Sequence, residues 1–243
     1  MVTQLAGTAC RAVVVGCAAT WLAGCAGEPS VPPPEPTQGA APSFAVPAGA
    51  RRYAVDPERT AVTVLVRRAG ALARFGHNHA IVSGDECGVV WIGRTPADSG
   101  FEIHVPVASF VVDDPAARSA AGAEFPGTVP DDARAGTRTN MLRAEVLDAA
   151  HYPDVVVRAE GATGSFQQAV VHAKVRLRDL ERDLDVPVTL EVNDREVTAR
   201  GTFQVRQTDF GITPFSVAGG AVQVADVVDV QFEVHGLRTG PAG

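Results

Sequence analysis

Two histidines stand one residue apart in "ARFGHNHAIVSG", residues 73–84. His77 and His79 suit three kinds of chemistry. On an extended strand, imidazoles at i and i+2 converge and can share a metal ion; they can work as an acid/base pair; or they can line a cavity as polar groups. A tight metal site takes a third or fourth donor. His104, His172 and His235 fall on the polar faces of their own alternating segments, leaving His151 or Asp148 to approach through tertiary contact. In an extended chain Phe75, His77, His79 and Ile81 share one side, and Arg74, Asn78 and Ala80 the other. The imidazoles then lie between two large apolar residues on a sheltered face, which favours cavity lining. A metal pair of His77 and His79 is the alternative, and a metal-assisted hydrolase would need a carboxylate near both.

Other reactive residue types are sparse. In "TDFGITP", residues 208–214, Gly211 suits a positive φ, Pro214 fixes the chain direction, and Asp209 can accept backbone N–H groups of the turn. No base or nucleophile stands beside that aspartate, so the segment is expected to be structural. Of the 4 cysteines, Cys10, Cys17 and Cys25 belong to the first 25 residues. Cys87, in "ECGVVWI", is expected to be a buried core thiol.

The elements that must position these groups are strands. Apolar residues recur with period two in 60–68, 87–93, 100–110, 153–161, 169–180, 185–193, 196–208 and 227–236, with 74–82 as a further candidate. Phe101, Ile103, Val105 and Val107, and likewise Val228, Val230, Phe232 and Val234, form an apolar wall. Glu102, His104, Asp229, Glu233 and His235 are expected to face water. One helix is predicted in "RTNMLRAEVLDAAHYP", capped at Thr139 or Asn140 and stopped by Pro153, and residues 113–136 are expected to be a long mobile insertion. Alternation with a single short helix points to an all-β fold, an antiparallel sheet closed into a barrel, with a two-sheet sandwich as the runner-up.

The ends have a different character. Arg11 precedes the apolar run "AVVVGCAATWLAG", too short to span a bilayer as a helix, which ends in "LAGC" at Cys25. The tetrapeptide resembles a lipobox, so residues 1–24 are expected to be a lipoprotein signal peptide and Cys25 the lipidation site. Residues 25–50, rich in Pro and Ala, suit an extended stalk rising about 3.1 Å per residue where polyproline-like. The domain is expected over 51–238, with a tail at 239–243. Such an anchor tethers a protein to a membrane without embedding it. Ala26 after the cysteine favours the outer membrane, facing the periplasm. A net charge of −7 and a single lysine, Lys174, argue against nucleic acid as a partner.

Three blocks then carry a family resemblance: "YAVDPERTAVTVLVRR", "TNMLRAEVLDAAHYPDVVVRA" and "GTFQVRQTDFGITPFSVAGGAVQVADVVDVQFEV". Tyr53, Asp56, the Tyr152–Pro153 pair, Gly201, Phe203, Thr208, Asp209, Phe210, Gly211 and the strand from Asp226 to Val234 fall in an order similar to that of the YceI-like, or lipid/polyisoprenoid-binding, family. The resemblance implies a lipocalin-like antiparallel eight-stranded barrel with one short helix, holding an isoprenoid or other long-chain lipid, or a quinone, in its lumen without catalysis. Two departures stand out: the length of 113–136, and a turn in "RDLERDLDVP" without the family's glycine. A long apolar ligand needs a dry tunnel with a few polar groups. The lumen candidates are Val62, Val64, Val66, Phe75, His77, His79, Phe101, Ile103, Val105, Phe203, Val205, Val230 and Phe232. Alternation gives their face, and a filled core would use the same face.

Overall fold

The computed structural model describes residues 46–239; the expected signal peptide, Cys25, the stalk up to residue 45 and residues 240–243 lie outside them. Each period-two segment contains a strand, and further strands join them; in chain order the first are β1 (Arg51–Val55), β2 (Ala61–Val66), β3 (Arg68–Ala69), β4 (His79–Ser83), β5 (Cys87–Ile92), β6 (Gly100–Pro106) and β7 (Val111–Val112). After two helices, α1 (Pro115–Ala120) and α2 (Asp131–Leu142), follow β8 (Asp154–Glu160), β9 (Ala162–Ser165), β10 (Gln168–Leu177), β11 (Leu180–Val192) and β12 (Glu196–Arg206). The chain ends with β13 (Ser216–Val217), β14 (Val222–Val224) and β15 (Val227–Thr239).

Eight of these close a ring in the order β1-β5-β6-β8-β10-β11-β12-β15, with β15 pairing back onto β1. Every pairing in it is antiparallel. Closure leaves no unpaired edge in the ring, which favours a barrel over a sandwich for so Val-rich a sheet. The length of β15, 13 residues, lets it do two jobs on one edge. Gly236–Thr239 pair with β1, whereas Glu233 back to Asp229 pair with β2, which carries β4 and β7 beyond it. A small sheet, β13-β14-β3, lies outside the ring.

The helical region departs from expectation. Residues 113–136 are not a featureless insertion: Asp114 caps α1 by accepting the N–H groups of Ala116 (2.9 Å) and Ala117 (3.0 Å), with Pro115 opening the helix. The expected helix over 138–153 instead begins at Asp131, after Pro130, with Asp131 and Asp132 in its first turn, and stops at Leu142. Arg143 is extended (φ −76°, ψ 168°), which ends it before the predicted Pro153. The following turns are tied back by Leu147 N–H to Met141 O (3.1 Å) and Ala149 N–H to Leu142 O (3.1 Å). Met141, Leu142, Val146 and Leu147 thereby pack against the barrel core. Without a glycine, the β10–β11 turn places Arg178 in the left-handed region, at φ 59°.

Among the described residues no helix is long and apolar enough to cross a membrane.

Candidate functional site

Directly paired residues in antiparallel strands share a face, so the register defines the interior. Val62 pairs with Ser83 and Phe232, Val64 with Ile81 and Val230, Phe203 with Val230, Phe101 with Val90, and Val105 with Val155. One end is packed by Phe210, Ile212, Val205 and Val228, with Val146 and Leu147 against them, and the other by Tyr53, Val90, Ile92 and Val197. Between them Val62, Val64, Phe101, Phe203 and Phe232 face inward yet remain partly accessible, as does Val66 nearer the first end. Phe203 and Phe232 meet with centroids 6.2 Å apart at 60°, and Gly201 leaves room for the Phe232 ring, which a Cβ would meet at 2.6 Å. Of the lumen candidates, Ile103, Val105, Val205 and Val230 are buried in the same clusters.

The histidine segment is not the extended run expected. Ala73–Phe75 forms a 3-10 turn, held by Leu72 N–H to Ala221 O (2.7 Å) and Phe75 N–H to Leu72 O (3.0 Å), so strand alternation begins only at His79. Phe75 is 67% exposed, with the Arg74 guanidinium 4.4 Å from its ring centroid, and His77 is exposed; neither lines the lumen. The rings of His77 and His79 lie 6.3 Å apart, inclined at 68°.

His79 pairs with Val66 at the start of β4, and its Nδ1 lies 2.6 Å from Asp113 Oδ2. The other oxygen, Oδ1, accepts the Ala80 N–H (3.0 Å) and the Arg118 guanidinium (2.6 Å). Arg118 also donates to the carbonyls of Asn78 (2.7 Å), Pro126 (2.9 Å) and Gly127 (3.2 Å). Asp113 is 2% and Arg118 4% exposed. Burial alone would push the Asp113 carboxyl up; the bonds from His79 and Arg118 outweigh it and hold the group below its ordinary value. The network is a clamp holding 113–127 against β4. It occupies His79 Nδ1, while His151 is bonded to Asp148 (2.8 Å). Among the described residues no group of three His, Cys, Asp or Glu is arranged to hold a metal.

Three further expectations change. Cys87 is exposed, and partial desolvation, followed by the charge of Asp154, pushes its thiol up. Glu102, expected in water, is buried and bonded to His104 (2.9 Å). The turn at Gln207–Phe210 has Gly211 at φ 68°, but its carboxylate anchor is Asp226 rather than Asp209: Asp226 accepts the Thr208 N–H (2.9 Å) and hydroxyl (2.8 Å).

Sequence reasoning missed Glu86. It sits between the β4–β5 turn and β5, in phase with Gly88, Val90 and Ile92, and is 0% exposed. Gly88 pairs with Ile103 and Val90 with Phe101, so this phase is the inward one. Ser83, inward through its pairing with Val62, donates its hydroxyl to Glu86 Oε1. The alternation Glu86-x-Gly88-x-Val90 was the available signal, masked by an acidic residue beside a turn.

The YceI-like domain profile matches residues 53–236. No curated protein matches the sequence. Among solved structures, the chain is similar to BcnA of Burkholderia cenocepacia, at 16% identity and a TM-score of 0.55 over 74% of this chain and 98% of that one. It is also similar to a polyisoprenoid-binding domain from Saccharophagus degradans implicated in plant cell wall breakdown, at 11% identity and a TM-score of 0.52 over 77% and 98%. At these identities the likeness is one of fold.

Proposed function

Because the chain belongs to the YceI-like family, we propose that its barrel binds an isoprenoid or other long-chain lipid in the lumen, without catalysis. The observation that carries this reading is the set of apolar residues Val62, Val64, Phe101, Phe203 and Phe232, which face the interior of the sheet yet stay partly accessible. An apolar chain laid along them would be driven in by about 25 cal/mol per Å² of surface removed from water. The polyisoprenoid-binding function of the Saccharophagus degradans domain, on a similar fold, supports the same class of ligand. A quinone, with its isoprenoid tail, belongs to that class. The lipobox-like "LAGC" supports a lipoprotein anchored through Cys25 in the cell envelope, with residues 25–50 as the stalk, 51–238 as the barrel and the outer membrane, facing the periplasm, as its place.

The test is extraction of the purified protein with organic solvent, followed by mass spectrometry and titration with polyprenol and quinone. Co-purifying lipid and saturable binding are expected. A protein that carries no lipid and takes up neither probe overturns the reading.

A further inference from the structure

The apolar inward face is interrupted beside Val62 by a buried polar pair, Ser83 and Glu86. Glu86 is 0% exposed, its Oε1 is satisfied by the Ser83 hydroxyl, and its Oε2 has no hydrogen-bond partner. Neither oxygen takes part in an ion pair among the described residues. Leaving a carboxyl oxygen dry and unpartnered is costly, and folded proteins rarely tolerate it without a use. Its bonded neighbour is Ser83, inward through its pairing with Val62. The side chain is closed to bulk solvent. A molecule with an apolar tail that parts the lining side chains can bring the missing donor to it.

We propose that Glu86, with Ser83, is the polar anchor of the lumen, and that it selects long-chain isoprenoid alcohols over their phosphorylated forms. This rests on the lumen-binding reading above. A terminal hydroxyl both donates and accepts, so it can complete the Oε2 hydrogen bond whether the carboxyl is charged or neutral. A phosphate offers acceptors and negative charge. Set against a carboxylate inside an apolar barrel, it meets repulsion with no basic side chain bonded to Glu86 to relieve it. Ser83 holds Oε1, which fixes the plane of the carboxyl and presents Oε2 in one direction.

The experiment is equilibrium binding of three probes to the purified protein: undecaprenol, undecaprenyl phosphate and the hydrocarbon squalene. The wild type is expected to bind the alcohol on the order of tenfold more tightly than either other probe, the worth of one well-made hydrogen bond. In Glu86→Leu the alcohol should fall to the level of squalene. In Glu86→Gln, which keeps shape and hydrogen bonding but loses the charge, the alcohol should stay bound and the phosphate improve. Ser83→Ala, which frees the carboxyl to turn, should weaken alcohol binding without changing squalene. Glu86→Leu that keeps the alcohol preference, or a wild type that binds all three alike, overturns the anchor while leaving the lumen reading intact. Failure of the wild type to bind any of the three overturns the lumen reading and the anchor with it. If Glu86→Leu does not fold, Glu86→Gln decides: an unchanged discrimination against the phosphate overturns the selection.

Discussion

Asp113 and Arg118 face each other at 2.6 Å, buried at the junction between the end of β7 and α1. Asp113 adopts φ 56°, so a non-glycine residue is held in the left-handed region by its bonds to His79, Ala80 and Arg118. The pair belongs to the scaffold. It explains why 113–136, whose composition suggested mobility, is folded onto the barrel.

Asp113→Asn should destabilise the protein by about 3 kcal/mol or more, because it leaves the Arg118 guanidinium buried without a counter-charge. The effect has a pH signature. The carboxyl is held below its ordinary value of 3.8 in the folded state, so its contribution is present above the unfolded pKa and is lost as pH falls through the lower folded value. The gap between wild type and variant in urea unfolding should be constant from about pH 7 to 5 and shrink below about pH 4. A gap that is as wide at pH 3 as at pH 7 contradicts the role given to the charge.

The two aspartates of the Gln207–Gly211 turn should separate cleanly. Asp226→Ala removes the acceptor for the Thr208 N–H and hydroxyl and for Arg206 (3.1 Å), and should cost about 1–2 kcal/mol, as loss of a capping residue does. Asp209 is exposed, so Asp209→Ala should stay within about 0.5 kcal/mol of wild type. Thermal unfolding of the two variants side by side would show the reverse order if the turn depended on Asp209.

The strands were legible because alternation is a local property: seven of the eight period-two segments contain ring strands, 60–68 contains β2 beside the ring, and 74–82 contains the first four residues of β4. What failed was long-range. Phe75 and His77 fit the same alternation as Ile81, but the Leu72–Ala221 hydrogen bond coils that stretch into a 3-10 turn, and nothing near residue 75 announces residue 221. The helix was misplaced by a competing local rule. Apolar spacing over 141–147 is real, yet it serves the last residues of α2 and the loop after it, which pack on the barrel core, while the acidic first turn at Asp131 starts the helix earlier. Strand β1 went unassigned because Tyr53 and Val55 give only two inward residues, and it is their pairing with β15 that closes the ring. Glu86 was invisible for a chemical reason: an acid after a turn suggests solvent, and only closure of the ring puts it inside.

Glycines should divide by what surrounds them. A Cβ at Gly201 would lie 2.5 Å from Pro187 O and 2.6 Å from the Phe232 ring, so Gly201→Ala should destabilise by about 1–3 kcal/mol through displacement of strand and ring. Gly136, exposed within α2, has nothing within 4 Å of that position, and Gly136→Ala should stabilise by about 0.5–1 kcal/mol. Denaturant midpoints that move the same way in both variants would contradict the close approach at Gly201.

Filling the lumen from a wall residue distinguishes an open interior from a packed one. Val64 lies on β2, inward, paired with Ile81 and Val230 and partly accessible. Val64→Phe adds volume where the structure leaves surface uncovered, so its stability cost should be under about 1 kcal/mol, below the 1–3 kcal/mol usual for overpacking a filled core. The same ring should block an isoprenoid chain and lower polyprenol binding on the order of tenfold or more, since the loss of a few buried methylenes suffices for that factor. Measuring urea stability and binding on one preparation separates the cases. Strong destabilisation would mean a filled interior at this level, and unchanged binding in a stable variant would place the ligand elsewhere.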